Sequence, residues 1–284
     1  MYLAVYLQPE KLSEALDALR HPNAVVLAGG TDFYPALGDR SFEGTIVDIS
    51  GVQELSEIRE IEDGIVLGAT ATWSTIAQAR FPQGLRALQQ AARHVGSLQI
   101  QNRGTIAGNL CNASPAADGT PPLLVLDAEV ILRSTAGARR LPLSEFVLGY
   151  RRTSRTFDEI VTAIVIPRRM QPSASSFRKL GARQYLVISI SMVAVALLTD
   201  LAGMIVEARV AVGSCSARSL RLTAVEAKLQ GLRAEAGISG DISADDLSEL
   251  TPITDVRATA DYRRQAALSL LRDAVEDCIQ ELHR

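Results

Sequence analysis

Gln101-Asn102-Arg103-Gly104-Thr105-Ile106-Ala107-Gly108-Asn109-Leu110-Cys111-Asn112-Ala113-Ser114-Pro115-Ala116-Ala117-Asp118 is the stretch on which the reading of this 284-residue chain turns. It gathers small residues, hydroxyls, amides and one acid into a segment too polar for a core strand and, by its glycine content, unsuited to a helix. Small residues let backbone N–H groups approach a ligand closely, and successive amides can form an anion-binding nest. A shorter stretch, Ala28-Gly29-Gly30-Thr31-Asp32, follows the apolar run 24–27, as a strand running into a tight glycine turn. Either stretch alone could be a tight turn and nothing more. The two together point to one phosphate-bearing cofactor held from two sides.

The length allows a large core and suggests two domains. An apolar fraction of 47% and a charged fraction of 21% are ordinary for a globular protein. The net charge of −3 leaves no electrostatic footprint for nucleic acid or an anionic membrane. Arginines do cluster, at Arg151, Arg152 and Arg155 and at Arg168 and Arg169, as solvated loop charges or as a docking patch for an acidic partner. Cys111, Cys215 and Cys278 lie far apart with no C-x-x-C pair, so neither a zinc ribbon nor an iron–sulfur cluster can be built from this chain alone. The odd cysteine count and the lack of a signal peptide pattern predict a reducing cytoplasm. The apolar run 187–198 is broken by serines and too short to span a bilayer.

Read in order, the chain opens with a strand at 1–7. A helix follows at 9–20, with Leu12, Ala15, Leu16 and Leu19 on one face, and then the strand 24–28, a β-α-β beginning. After Pro35 the chain is read as looping into a strand at 45–49. A second lobe carries a strand at 64–68, a helix at 73–79 capped by Thr72, and another helix at 85–95. Strands follow at 130–133, 139–141 and 159–166, with a turn or short helix at 142–146. Residues 167–176 read as a linker. Beyond them, 188–198 and 204–212 pair as a hairpin, 223–229 is a helix and 237–246 an exposed loop. A long helix spans 262–282, with Ala266, Leu270, Ala274 and Ile279 as its apolar stripe. No chemistry stands out in this last part, and no internal repeat occurs.

The motifs Ala28-Gly29-Gly30-Thr31-Asp32, Arg103-Gly104-Thr105-Ile106-Ala107-Gly108-Asn109-Leu110 and Asn112-Ala113-Ser114-Pro115-Ala116-Ala117-Asp118 resemble those of the FAD-binding medium subunits of molybdenum hydroxylases. That is the family of xanthine dehydrogenase and aerobic carbon monoxide dehydrogenase. Asp255-Val256-Arg257-Ala258 and Tyr262-Arg263-Arg264 extend the resemblance to the tail. It implies an α+β protein: a two-lobed FAD-binding domain of the vanillyl-alcohol-oxidase type at 1–171, with lobes of about 1–53 and 54–171, then a smaller α+β domain at 172–284.

The resemblance also implies roles. The backbone of Leu27, Ala28, Gly29, Gly30, Thr31 and Asp32 is expected to hold the pyrophosphate of FAD. Thr105, Ala107, Gly108, Asn109 and Asn112 are expected to contact phosphate and ribitol from the other side. Asp118 is expected on a ribose hydroxyl, Val161 on the adenine or the ring system, and Lys179 near the isoalloxazine, favouring its reduced anionic form. Tyr185 could cover one ring face or simply pack. Ala107 stands where many relatives have a second glycine. No histidine occupies the Thr31 position, so FAD is expected to be non-covalent.

The function implied is electron transfer within a complex. A molybdenum-cofactor subunit would oxidise the substrate, and a subunit with 2Fe-2S clusters would pass electrons to FAD, which would give them to NAD or another acceptor. A heterotrimer or dimer of heterotrimers is implied. A self-sufficient FAD oxidase of the same fold, or a flavin-free assembly subunit, are the alternatives. FAD binding lost in Asp118→Ala would favour the first reading, and a colourless protein the last.

Overall fold

In the computed structural model, which describes residues 4–168, 172–183 and 187–284, the opening pattern forms a small parallel sheet. Strands β1 (Val5–Leu7), β2 (Ala24–Leu27) and β3 (Thr45–Asp48) lie in the order β1-β3-β2, with Leu27 opposite Asp48. Parallel strands of one sheet are joined by crossovers. Helix α1 (Leu12–Ala18) supplies the first, burying Leu12, Ala15 and Ala18 with Val47 and Ile49. Between β2 and β3 lies α2 (Phe33–Leu37), which runs past Pro35 into the stretch expected to be a loop. Pro35 is the third helical residue, among the first four N–H positions that have no intrahelical partner, so its missing N–H costs nothing.

The second lobe is built on an antiparallel sheet in the order β4-β5-β10-β6-β7. Its strands are β4 (Ile58–Ile61), β5 (Gly64–Gly68), β6 (Glu129–Ser134), β7 (Gly137–Pro142) and β10 (Ile160–Pro167). A short hairpin, β8 (Val147–Gly149) with β9 (Arg152–Thr153), stands off the sheet. Helices α3 (Trp73–Gln78), α4 (Arg86–His94), α5 (Leu98–Gln101), α6 (Ile106–Asn112), α7 (Thr120–Val125) and α8 (Leu143–Phe146) cover this lobe. The main core runs between sheet and helices through Leu67, Ile76, Leu88, Leu110 and Ile164.

The glycine-rich stretch is therefore partly helical, contrary to the sequence reading. Thr105 Oγ1 accepts from the Gly108 N–H at 3.1 Å and caps α6, Ile106, Ala107 and Leu110 are buried, and Ala113 ends the helix in a left-handed turn at φ 46°. One interior glycine costs about 1 kcal/mol. A Thr cap is worth about as much, and the buried apolar face tips the balance.

The C-terminal part packs β11 (Ala174–Leu180), β12 (Ser191–Thr199), β13 (Ile205–Gly213) and β14 (Leu220–Arg221) into one antiparallel sheet, accompanied by α9 (Thr223–Leu229) and α10 (Ala260–Leu282). The uninterrupted apolar run of β12 has a simple cause. Successive side chains point to opposite faces, and both faces are covered. Met192, Ala194 and Ala196 join the core of the second lobe, while Val193, Val195 and Leu197 meet Leu271, Ala274 and Ile279 of α10. The sheet thus belongs to two cores at once.

Three further expectations change. The segment read as a linker includes Ala174–Ser176, buried at the start of β11. The region 237–246 folds into short 3-10 turns that bury Ile242. The buried stripe of α10 runs through Ala267 and Leu271, one residue beyond Ala266 and Leu270, before reaching Ala274 and Ile279. Tyr185 lies outside the described residues.

Candidate functional site

The two glycine stretches meet backbone to backbone. A Cβ built on Gly29 would lie 1.9 Å from the carbonyl oxygen of Arg103, so no other residue fits there without parting the lobes. Gly30 has φ 73°, a conformation that L side chains rarely adopt, and the Tyr34 ring lies over it. Behind them, the Trp73 N–H donates to Gly104 O at 3.1 Å and pins the second stretch to the start of α3. Thr72 caps that helix, as expected, accepting from the Thr75 N–H at 3.2 Å.

Between the lobes opens a cavity of about 480 Å³, within the range of small-molecule and cofactor sites. Leu27, Ala28, Gly29, Gly30, Thr31 and Asp32 line one side. Thr105, Ala107, Gly108, Asn109 and Asn112 line the other, and Val161 of β10 contributes from the sheet. Twelve of the fourteen residues singled out in the sequence thus share one cavity. Trp73, Val95, Ile100, Ile160 and Val25 add apolar wall. Asn109 Oδ1 is buried, and among the described residues no donor reaches it. A buried acceptor without a donor costs about 1–3 kcal/mol, a penalty that a ligand hydroxyl or N–H in this cavity would remove.

Asn112 joins the two lobes. Its Nδ2 donates to Asp32 Oδ1 at 2.8 Å, and its Oδ1 accepts from Nη1 of Arg151. Arg151, Arg155 and Phe157 line the cavity mouth, a role the sequence reading did not give them. Arg155 is held by the carbonyls of Thr156 and Glu159, at 3.1 and 2.8 Å. Glu159 is gripped by both ends of the Arg139 guanidinium, which brings its pKa down to about 2. The signal for these arginines was their clustering, but nothing local aimed them at a ligand.

Asp118 and Lys179 sit together behind this wall and are not among the residues lining the cavity. Lys179 Nζ donates to Asp118 Oδ2 at 2.5 Å and to the His94 carbonyl at 3.2 Å, next to Val95 of the cavity wall. Ser189 Oγ donates to the other Asp118 oxygen at 2.6 Å. Burial pushes the Asp118 carboxyl up, against the pull of Lys179 and of the Ser189 hydroxyl. Burial, with Lys179 beside it, lowers the His94 pKa. Ser189 lies in the C-terminal part, where the sequence showed no chemistry.

Cys111 lines the cavity and is reached by solvent, but the surrounding walls push its thiol up to about 11. Cys215 and Cys278 are buried, and all three are free. Among the described residues, no group of His, Cys, Asp or Glu could hold a metal ion, and no helix is long and apolar enough to cross a membrane.

A two-lobed fold clasping a nucleotide-sized cavity between glycine-rich turns defines a cofactor-binding protein. Residues 2–169 match the family described as the FAD binding domain in molybdopterin dehydrogenase, and residues 175–278 match the CO dehydrogenase flavoprotein C-terminal domain. The chain belongs to this family of dehydrogenase flavoprotein subunits. It is 39% identical over 206 residues to the nicotinate dehydrogenase FAD-subunit of Eubacterium barkeri, covering 70% of each chain. The glyceraldehyde dehydrogenase medium chain of Sulfolobus acidocaldarius is 29% identical over 280 residues, 96% of this chain and 97% of that one. Carbon monoxide dehydrogenase from Hydrogenophaga pseudoflava superposes with a TM-score of 0.89 at 25% identity, over 98% of both chains.

Proposed function

We propose that the cavity holds FAD non-covalently and that the chain is the electron-transfer subunit of a molybdenum hydroxylase complex. The observation that carries this reading is the single cavity formed where the two glycine stretches touch. In it, the backbone from Leu27 to Asp32 takes the pyrophosphate, with Gly29 and Gly30 allowing close approach. Thr105, Ala107, Gly108, Asn109 and Asn112 face the phosphates and ribityl chain, and the bare Oδ1 of Asn109 accepts from a ribityl hydroxyl. Val161 lies against an apolar ring. Asp118 and Lys179, paired behind the wall with Lys179 bonded to the His94 carbonyl beside Val95, restrain the wall at that end.

FAD bound there supplies exchange of one electron with a cluster and of two with a nicotinamide. The chain's own residues bind, orient and screen the group from water. An iron–sulfur subunit delivers the electrons, a molybdenum-cofactor subunit does the substrate chemistry, and NAD or another acceptor takes them up, within a heterotrimer or a dimer of heterotrimers. That nicotinate, glyceraldehyde and carbon monoxide appear in the names of such similar chains fits a subunit that does not choose the substrate. Three free cysteines suit a cytoplasmic location.

The test is titration of the purified chain with FAD, with FMN as control, followed by flavin fluorescence. Saturable quenching with FAD and much weaker binding of FMN is expected. No FAD binding, even with the iron–sulfur subunit added, would overturn the reading.

A further inference from the structure

Resting on the flavin reading above, we propose that Arg151 is the cation that binds the cofactor's diphosphate, presented to it by the chain Asp32–Asn112–Arg151. Four charged side chains line the cavity: Asp32, Arg151, Arg155 and Glu159. Glu159 is balanced by Arg139, which lies outside the lining. Arg155 Nη1 is folded back onto two carbonyls of its own loop. Arg151 differs. Its guanidinium rests on the neutral amide of Asn112, and among the described residues no carboxylate touches it.

The amide orientation is fixed by its partners. A carboxylate only accepts and a guanidinium only donates, so Asn112 must turn Nδ2 to Asp32 and Oδ1 to Arg151. Arg151 is thereby held two hydrogen bonds from the glycine turn that the pyrophosphate would occupy. Its backbone is committed as well. Arg151 has φ 54°, and its N–H donates at 3.0 Å to the carbonyl of Ala113, itself left-handed at φ 46°. Two non-glycine residues in this strained region, bonded to each other at the cavity mouth, are a costly arrangement of a kind that clusters at ligand clamps. A diphosphate carries two negative charges beside the carboxylate of Asp32, and a guanidinium can meet it with two parallel N–H bonds.

Arg151→Gln keeps the backbone demand and removes the charge. Titrated with FAD at low and high salt, it should bind 10- to 100-fold more weakly than the wild type, and its affinity should depend less on ionic strength. Arg151→Lys should recover part of the affinity and most of the salt dependence. Arg151→Gly removes the charge while relaxing the backbone, so it should lose FAD as Gln does with no lower melting temperature. Affinity within twofold of wild type in the Gln variant, or a loss of affinity with an unchanged salt dependence, would overturn the role of Arg151 and leave the flavin site standing. Wild-type protein that binds no FAD would overturn both.

Discussion

Lys179 and Asp118, 61 residues apart, form an ion pair in which both side chains are almost wholly buried, at 2.5 Å. Taking two charges out of water is expensive, and removing one partner leaves the other uncompensated. Lys179→Met should therefore cost about 3–5 kcal/mol in urea unfolding at pH 7. Asp118→Asn in the same chain should restore much of that. Burial already raises the Asp118 pKa; without Lys179 it rises further. Wild type and variant lose stability together until pH passes the raised Asp118 value of the wild type, so the variant's deficit should grow as pH climbs above that value and shrink below it. Equal deficits at pH 4 and pH 8 would argue against an ionised pair.

Cys111 offers a direct report of cavity occupancy. It is exposed and lines the cavity, while Cys215 and Cys278 are buried. With its thiol raised to about 11, alkylation should be slow at neutral pH and speed up about tenfold per pH unit, because the thiolate is the nucleophile. Saturating FAD should protect Cys111 from iodoacetamide, as read by peptide mass analysis. Equal labelling with and without FAD would place the cofactor elsewhere.

Glu159 should matter to acid stability. Its folded pKa of about 2, held down first by the hydrogen bonds from Arg139, lies below the ordinary 4.5. A depressed carboxyl contributes stability that is fully present above the unfolded value and is lost as pH falls through the folded one. Glu159→Gln should lose up to about 3 kcal/mol at pH 7. The gap to wild type should narrow between pH 4.5 and 2. A gap independent of pH over that window would show that the ion pair contributes nothing.

Gly29→Ala tests the contact between the two glycine stretches. Its Cβ would meet a backbone carbonyl, which cannot rotate away as a side chain can. A loss of about 1–3 kcal/mol is expected from overpacking, together with at least a tenfold loss of FAD affinity. Gly240→Ala, where nothing lies within 4 Å, serves as the control and should stay within about 0.5 kcal/mol of wild type.

Local patterns made much of this legible. The apolar runs of β2, β5 and β10, the Thr72 cap and the hairpin of β12 and β13 follow from periodicity and turn chemistry. The glycine turns announced a cavity because their backbone demands are written in the residue types. The glycine content of 101–118 argues against a helix, but the Thr105 cap and the apolar spacing of Ile106 and Leu110 outweigh it. Arg151, Arg155 and Ser189 were not assigned to the site because each reaches it only through tertiary packing. The same holds for the pairing of Asp118 with Lys179. Two ionisable residues 61 positions apart give no local sign of each other.

The two-faced sheet of the C-terminal part bears on how such proteins can be inherited. Met192, Ala194 and Ala196, with Phe177 and Ala211 of the same sheet, complete a core whose other members come from the cofactor lobe, while their neighbours on the strand complete another. A gene fragment ending before β11 would encode a lobe with one wall of its interior bare. Recombination between relatives should then respect the pair, carrying both parts across together and leaving the variable joins to the exposed loops.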